Sequence, residues 1–201
     1  MEVTETALII FVKNREVGKV KTRLAKTVGD EKALEVYCSL LEKLKNSLIG
    51  FKSRIYVYYS AFFDVDDEWN SLNPIKKLQI PGDLGDKMSN AITTVKSGAR
   101  KVMIVGSDCP ELSQNIIEEG FFALDDHDVV LGPALDGGYY LIGLKAENHA
   151  LFLNMNWSTS TVLAETIRRA TEQNLSVHLL TTLRDLDEYE DYIYFREKGI
   201  L

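Results

Sequence analysis

Cysteine, histidine, positive charge and long hydrophobic runs are all scarce in this sequence of 201 residues. Its two cysteines, Cys38 and Cys109, make neither a disulfide framework nor a metal-binding spacing, and its three histidines follow no ligand pattern. Such sparing use of cysteine is typical of a protein in a reducing cytoplasm. The longest early apolar run, residues 7–12, is far shorter than the about 20 residues that a membrane-spanning helix needs. The acidic residues before it are unlike a signal peptide, so we expect a cytoplasmic protein without a membrane span.

The charge balance argues against nucleic acid as a partner. Lysine and arginine number 23 against 30 aspartates and glutamates, which leaves a net charge of -7. Binding to DNA or RNA depends on clustered cations that neutralise phosphates, and this acidic chain has no long basic run. Hydrophobic residues make up 45% and charged residues 26% of the chain, as in ordinary globular proteins, which excludes extended disorder. The length predicts a single domain over residues 1–201.

Strand-like and helix-like segments alternate almost throughout the chain. Continuous apolar runs or alternation predict strands at 7–12, 54–60, 101–106, 128–131, 139–144 and 176–180. Helical spacing of apolar residues, with Asp30 and Ser113 as caps, predicts helices at 30–49, 86–95, 113–124, 159–173 and 187–198. Residues 13–27 are predicted as a loop, and residues 62–81 as irregular with a short strand near Leu78. This order predicts a three-layer α/β/α fold with a mixed, mainly parallel sheet.

Segments that follow the strands are the candidate sites, because ligands of open α/β sheets bind beyond the carboxyl ends of the strands. The first such segment, residues 13–26, carries six cations and one acid. Gly18 permits close approach of the backbone to a ligand, and cations such as Lys13 could hold phosphates. The segment lacks the glycine pattern of a Walker A loop, and an ordinary solvated basic loop is an equal alternative.

Two further strand ends carry aspartates. Asp108 directly follows a predicted buried strand, where it could hold a hard cation such as Mg²⁺ or cap the next turn. Asp136 precedes two glycines, which either let a ligand approach the backbone or make a plain turn. Near the end of the chain, Asp185 or Asp187 could join Asp108 on a metal, unless Asp187 is the N-cap of the last helix. Cys109 is interpreted as a small buried residue rather than a nucleophile.

Five short motifs occur in an order that resembles a known family. They read KTRLA at 21–25, GDLGDKM at 82–88, GSDCP at 106–110, LGPALDGGYYLIG at 131–143 and WST at 157–159. Each is weak by itself, but the ordered set resembles the DUF2064 family of glycosyltransferase A-like proteins. That family is related to phospholactate guanylyltransferases and to nucleotide-diphospho-sugar transferases. The resemblance implies the same α/β fold over nearly the whole chain.

Together with the composition of the strand-end segments, the resemblance implies roles for individual residues. The implied catalytic residues are Lys21, Asp108 and Asp136, and Mg²⁺ or Mn²⁺ is expected on Asp108 and Asp187. The expected nucleotide-binding residues are Lys13, Gly18, Lys21, Thr22, Arg23, Leu84 and Gly85. The expected acceptor-binding residues are Gly137, Gly138, Tyr139, Trp157, Ser158 and Thr159.

The first loop departs from the family pattern in one respect. Family members usually carry prolines in the loop before the KTRL motif, and Arg15 and Val17 stand at those places here. Proline restricts the unfolded and unbound chain, so we expect this loop to be less rigid. Ordering it around a nucleotide would then cost more conformational entropy.

The function expected from these residues is that of a metal-dependent transferase that uses an activated nucleotide and an unidentified small-molecule acceptor. The family resemblance favours glycosyl transfer from a nucleotide-diphospho-sugar. The cationic loop suits a triphosphate somewhat better, as in nucleotidyl transfer with release of pyrophosphate. A non-catalytic nucleotide-binding or partner-binding module is the alternative of a different class.

Overall fold

Seven strands form the sheet of the computed structural model, which describes residues 4–201. They are β1 (Thr4–Val12), β2 (Arg54–Tyr59), β3 (Ile75–Leu78), β4 (Ala99–Val105), β5 (Val129–Pro133), β6 (Tyr139–Leu144) and β7 (Val177–Leu179). The order across the sheet is β3-β2-β1-β4-β6-β5-β7. Strand β6 runs antiparallel to both of its neighbours, and the other described pairs are parallel. The mixed, mainly parallel sheet predicted from the sequence is therefore confirmed.

Helices cover both faces of this sheet. They are α1 (Thr22–Val28), α2 (Asp30–Ser47), α3 (Leu84–Lys96), α4 (Gln114–Ala123), α5 (Val162–Glu172) and α6 (Tyr189–Glu197). Alternate residues of β1 point to opposite faces. Leu8 and Ile10 belong to the apolar cluster that includes residues of α2 and α4, and Ala7 and Ile9 belong to the one that includes residues of α3 and α5. The three predicted layers are present.

The direction of the strands brings four connecting segments to one edge of the sheet. Strands β1, β4, β5 and β7 all point the same way, because each is linked to the others by parallel pairs or by the antiparallel β6 between them. The segments 13–21, 106–113, 134–138 and 180–188 therefore all leave the sheet at its carboxyl edge, where open α/β sheets bind ligands.

The predicted loop at residues 13–27 is wrong in its second half, which is helix α1. Leu24, the buried residue of this seven-residue helix, lies in a cluster with Leu40 of α2 and Phe195 of α6. One buried position gives no helical periodicity to detect, and packing against two longer helices stabilises α1 instead. The predicted cap Asp30 is also wrong, because Gly29 is the N-cap and Asp30 is the first residue of α2.

Several other boundaries differ from the predictions by a few residues. Helix α3 begins at Leu84 rather than residue 86. The Asp83 side chain accepts from the Asp86 backbone N–H, and the Asp86 side chain accepts from the Asp83 backbone N–H, so that the two residues form a capping box at the start of the helix. Ser113 stands at the N-cap of α4 without a side-chain capping bond. Helix α6 has Glu188 as its N-cap, so Asp187 does not cap it. The short strand predicted near Leu78 is confirmed as β3.

Two 3₁₀ helices complete the described elements, Glu68–Leu72 and His149–Leu151. The first of them lies in the stretch predicted as irregular. Within residues 4–201, no helix combines the length and the apolar character that crossing a membrane requires.

Candidate active site

The start of the basic loop is tied by hydrogen bonds to α2 and to the segment that follows β2. The Lys13 backbone N–H donates to the Tyr37 hydroxyl (2.8 Å), which donates back to the Lys13 carbonyl (3.1 Å). The Asn14 side chain is buried, donates to the Phe62 carbonyl (2.8 Å) and accepts from the Ala61 N–H (2.9 Å). These contacts hold the loop against the segment that follows β2.

Arg15 stands at one of the two places where the family resemblance predicts a proline. Its guanidinium lies 2.6 Å from an Asp64 carboxylate oxygen and 2.9 Å from one of Glu68. The loop therefore has an ionic anchor at the position where we expected it to be less rigid. Val17, at the second departure from the family pattern, is exposed.

Lys21 forms the centre of the site. Its ammonium nitrogen lies 2.5 Å from Asp108 Oδ1 and 3.2 Å from Asp187 Oδ1. Its side chain is 3% exposed, whereas those of Asp108 and Asp187 are 46% and 30% exposed. Burial by itself would lower the pKa of Lys21, but the two carboxylates outweigh it and the pKa is raised. The backbone of Lys21 is left-handed, at φ 46° and ψ 41°, where it serves as the N-cap of α1.

The segment after β7 brings Asp187 to Lys21. Leu183 forms a β-bridge with Ala134, and the Leu186 N–H donates to the Asp108 carbonyl (2.9 Å). The segment therefore crosses two other strand ends on its way to α6. The Asp187 backbone N–H donates to the carboxylate of Asp191 (3.0 Å), which fixes the backbone at that position.

Arg23 extends this network toward solvent. Its guanidinium contacts the Asp187 carboxylate and lies 3.3 Å from a Glu188 carboxylate oxygen. The Arg23 side chain is exposed, so it can turn toward a ligand without losing a buried contact. Lys21, Arg23, Asp108 and Asp187 together form what we call the Lys21 network.

Further carboxylates surround the Lys21 network. The pKa of Asp185 is raised to about 7 by burial and then by the negative charges of Asp108, Asp187 and Asp136. Within residues 4–201, no three His, Cys, Asp or Glu side chains converge as ligands of one ion. Carboxylate oxygens are nevertheless the donors that Mg²⁺ and Mn²⁺ prefer, and the Lys21 ammonium already shows that the space between Asp108 and Asp187 suits a cation. The residues present therefore fit the expected metal.

Cys109 follows Asp108 and is buried. Its thiol donates to the Arg184 carbonyl (3.4 Å), and burial raises its pKa, which disfavours the thiolate that a nucleophile needs. These properties agree with its interpretation as a small buried residue.

A second group of predicted residues is assembled by close backbone packing. Asp136 Oδ1 accepts from the Gly138 N–H (2.8 Å), and the Leu163 N–H of α5 donates to the Gly137 carbonyl (2.9 Å). Gly137 has φ 89°, and a Cβ there would lie 2.1 Å from the Ser160 carbonyl oxygen. The turn over residues 136–138, which we call the glycine turn, thus rests directly on the start of α5.

Gly85 makes a similar close contact on α3. A Cβ at Gly85 would lie 2.7 Å from the Phe152 carbonyl oxygen and 2.9 Å from Cζ2 of Trp157. The side of Gly85 that lacks a side chain is therefore covered by Phe152 and Trp157, whereas the neighbouring Leu84 is exposed. Among the described residues, the Trp157 indole N–H and the Tyr139 hydroxyl are buried without a hydrogen-bond partner.

The remaining predicted residues lie around these two groups. Lys13, Thr22 and Ser158 are exposed, and the Thr159 hydroxyl donates to the Asn156 carbonyl (2.8 Å). Gly18 has φ 74° and faces the Asp30 carboxylate. The structure thus joins Lys21, Arg23, Asp108 and Asp187 directly, and joins Gly85 to Trp157 and Gly137 to α5 separately.

Three supporting residues were not identified in the sequence: Asn14, Tyr37 and Asp191. The only available signal was the position of Asn14 directly after a strand and a basic residue. Tyr37 fits the apolar face of α2, and its hydroxyl also lies 3.5 Å from Ser107 Oγ before Asp108. The roles of Asn14 and Tyr37 depend on contacts with distant segments, which local sequence patterns do not encode, whereas Asp191 accepts from the nearby backbone N–H groups of Asp187 and Glu188.

The fold is that of enzymes that transfer nucleotides or nucleotide-linked sugars. A protein from Desulfovibrio desulfuricans G20, provisionally described as a nucleotide-diphospho-sugar transferase, superposes with a TM-score of 0.89 at 28% identity, over 98% of this chain and 88% of its own. The inositol-1-phosphate CTP transferase from T. maritima has the same fold, with a TM-score of 0.63 at 15% identity, over 100% of this chain and 98% of its own.

The sequence comparisons identify the family. The profile of DUF2064, described as an uncharacterized protein conserved in bacteria, matches residues 52–159, which is more than half of the chain. The chain belongs to this family, as the ordered motifs indicated. A curated relative, the 2-phospho-L-lactate guanylyltransferase of Methanocaldococcus vulcanius, is 19% identical over 141 residues, which cover 70% of this chain and 63% of the relative. The chain thus matches less than two thirds of that relative's length.

Proposed function

We propose that this protein is a metal-dependent nucleotidyltransferase that joins the nucleoside monophosphate part of a nucleoside triphosphate to a small phosphorylated acceptor. The observation that carries the proposal is the Lys21 network, in which a buried ammonium meets two carboxylates beyond the ends of β1 and β4. Phosphoryl and nucleotidyl transfer need positioning and charge stabilisation more than covalent help from the protein, and this arrangement can supply both.

The bonds that change can be written out. An oxygen of the acceptor phosphate attacks the α-phosphorus, the new P–O bond forms, and the bond from the α-phosphorus to the bridging oxygen breaks. Pyrophosphate leaves with the electron pair of the broken bond. Lys21 and Arg23 would bind the oxygens of the leaving phosphates, since one ammonium and one guanidinium stand together at the start of α1.

Asp108 and Asp187 would hold Mg²⁺ or Mn²⁺. Such an ion, when bound, supplies positive charge that neutralises the phosphates and the leaving group. Asp136 would lie toward the acceptor, because it is the first residue of the glycine turn, which follows β5. The exposed residues Leu84 and Ser158 remain candidates for contact with nucleoside and acceptor, respectively.

The relatives support nucleotidyl transfer in two ways. The curated relative is named as a guanylyltransferase, and one of the structural neighbours is named as a CTP transferase. Glycosyl transfer from a nucleotide-diphospho-sugar is the second candidate, because the structural neighbour at 28% identity is described as a nucleotide-diphospho-sugar transferase. We also propose a cytoplasmic location, on the ground that Cys38 and Cys109 are both free thiols.

The release of pyrophosphate tests the proposal. The protein is incubated with Mg²⁺ or Mn²⁺, each of the four nucleoside triphosphates and a panel of phosphate monoesters that includes 2-phospho-L-lactate. We expect the protein to release pyrophosphate from one of the four triphosphates, and one acceptor of the panel should increase that release. A parallel series with nucleotide-diphospho-sugars is followed for nucleoside diphosphate, whose release in place of pyrophosphate would favour glycosyl transfer.

Variants connect the reaction with the site. Asp108→Asn should abolish metal-dependent nucleotide binding at a loss of about 1–2 kcal/mol in the free energy of unfolding, because Asp187 remains beside the Lys21 ammonium. Asp126→Asn, which removes one exposed acid elsewhere, is the matched control. A folded Asp108→Asn protein with unchanged metal-dependent affinity would refute the site. Absence of a thermal shift with every nucleotide and metal would leave the non-catalytic, partner-binding alternative, because a ligand of the native state must raise the melting temperature.

A further inference from the structure

The Lys21 ammonium occupies the place between Asp108 and Asp187 that the proposed metal ion would need. We infer that the site takes the divalent cation and the nucleotide phosphates together, as one metal–nucleotide complex, and that Lys21 is the residue that excludes the cation alone. The inference rests on the proposed function, because it specifies the form of the substrate that the same site accepts.

The first step of the argument is the burial of Lys21. Its side chain is 3% exposed, so the ammonium cannot return to water by a simple rotation. Both carboxylate contacts compensate for the loss of hydration of this charge. A cation that took over Asp108 and Asp187 by itself would leave a buried ammonium without its partners, which is strongly unfavourable.

The second step is the charge already present. If the cation entered without displacing the Lys21 ammonium, the divalent ion and the ammonium would lie next to each other in a partly buried site and repel each other strongly. Arg23 adds a further positive charge at Asp187, where its guanidinium contacts Oδ2 and the Lys21 ammonium contacts Oδ1. Whether or not the ammonium is displaced, a divalent ion without nucleotide should therefore bind weakly to the free protein.

A bound phosphate group gives the Lys21 ammonium a new partner of opposite charge. Its oxygens can accept from the Lys21 ammonium as Asp108 and Asp187 turn to the metal, so that every charge keeps an opposite partner. The Arg23 side chain is exposed and can turn toward the same phosphates. Cation and nucleotide should therefore strengthen each other's binding, and by linkage the factor is the same in both directions.

The test measures the binding of Mn²⁺ without nucleotide, by electron paramagnetic resonance of the free ion. The unmodified protein should bind Mn²⁺ weakly. Lys21→Met keeps the apolar stem but removes the charge, and it should bind Mn²⁺ about 10-fold more tightly or better, because two carboxylates are released. Lys26→Met, which removes an exposed cation from α1, the helix that Lys21 caps, is the matched control and should leave the affinity for Mn²⁺ unchanged.

The unmodified protein provides an independent measurement that does not depend on the folding of a variant. Its thermal shift is recorded with Mn²⁺ alone, with an α,β-methylene analogue of GTP or CTP in EDTA, and with both together. The inference requires the combined shift to exceed the sum of the separate shifts.

The outcomes separate the two proposals. Equal Mn²⁺ affinity of Lys21→Met and the unmodified protein, or additive thermal shifts, would overturn the inference while the proposed function stands. A complete lack of response to every analogue, with and without Mn²⁺, would instead refute the proposed function. Tighter Mn²⁺ binding by Lys21→Met together with a more than additive shift supports both.

Discussion

The Lys21 network and the glycine turn lie beyond the same edge of the sheet, yet opposite kinds of contact assemble them. In the network, charged side chains meet across ion pairs, and both carboxylates, those of Asp108 and Asp187, are partly exposed. In the glycine turn, backbone meets backbone so closely that a Cβ at Gly137 would lie 2.1 Å from the Ser160 carbonyl oxygen. The first arrangement can exchange its partners for a ligand, whereas the second admits no rearrangement without breaking the packing.

Under the proposed function, this difference would make the site both adaptable and well placed. Charged groups that must bind and release phosphates need alternative partners in the free protein, and Asp108 and Asp187 serve Lys21 in that way. The surface that orients an acceptor benefits from rigidity, since small misplacements in a reacting pair reduce the rate strongly. Four substitutions, in order of decreasing expected effect, test whether the charged contacts are more adaptable than the close backbone packing.

Gly137→Ala should have the largest effect. The new Cβ meets a backbone carbonyl and the residue keeps φ 89°, so we expect a loss of about 4 kcal/mol in the free energy of unfolding. Chemical denaturation measures it. The control is Gly50→Ala, which has φ 86° but nothing within 4 Å, and which should lose only about 1–2 kcal/mol of backbone strain. Equal losses in the two variants would show that the glycine turn is not closely packed.

Gly85→Ala should come next, with a loss of about 2 kcal/mol from overpacking against Phe152 and Trp157. Because the Trp157 ring must move, its fluorescence should change as well. Gly98→Ala, where the nearest atom is 3.7 Å from the new Cβ, is the control and should change stability by less than about 1 kcal/mol. A Gly85→Ala protein as stable as the control would argue that the indole is loosely held.

Asp187→Asn should cost about 1–2 kcal/mol, less than either glycine variant. It removes one partner of a buried ammonium, but Asp108 remains, and partial exposure reduces the penalty below that of a fully buried pair. Denaturation with and without a nucleotide analogue and Mn²⁺ checks the value. A loss as large as that of Gly137→Ala would contradict the idea that the Lys21 network tolerates exchange.

Arg15→Gln should have the smallest effect, about 0.5–1 kcal/mol, because its ion pairs with Asp64 and Glu68 are partly exposed. The difference from the unmodified protein should nearly vanish in about 1 M salt, where the screening length is about 3 Å. A difference that is independent of salt would mean that Arg15 anchors the loop by packing rather than by charge.

Much of the fold was predictable because it depends on local patterns. The apolar run of β1 and the helical spacing in α2 indicate buried elements wherever they occur in a sequence. The strand ends then identify segments such as 106–110 as candidate sites without any knowledge of contacts. Helix α1 was missed for the opposite reason, since its single buried residue, Leu24, depends on packing against Leu40 and Phe195.

The α/β class, the family, and the placement of cations after β1 and of acids near the other strand ends follow from local residue patterns, which extend over a few neighbouring positions. The contact between Lys21 and Asp187, which are 166 positions apart, and the covering of Gly85 by Trp157 come from tertiary packing alone. Such contacts depend on where the segment after β7 crosses Ala134 and Asp108, and that path results from the packing of the whole sheet edge rather than from any local pattern.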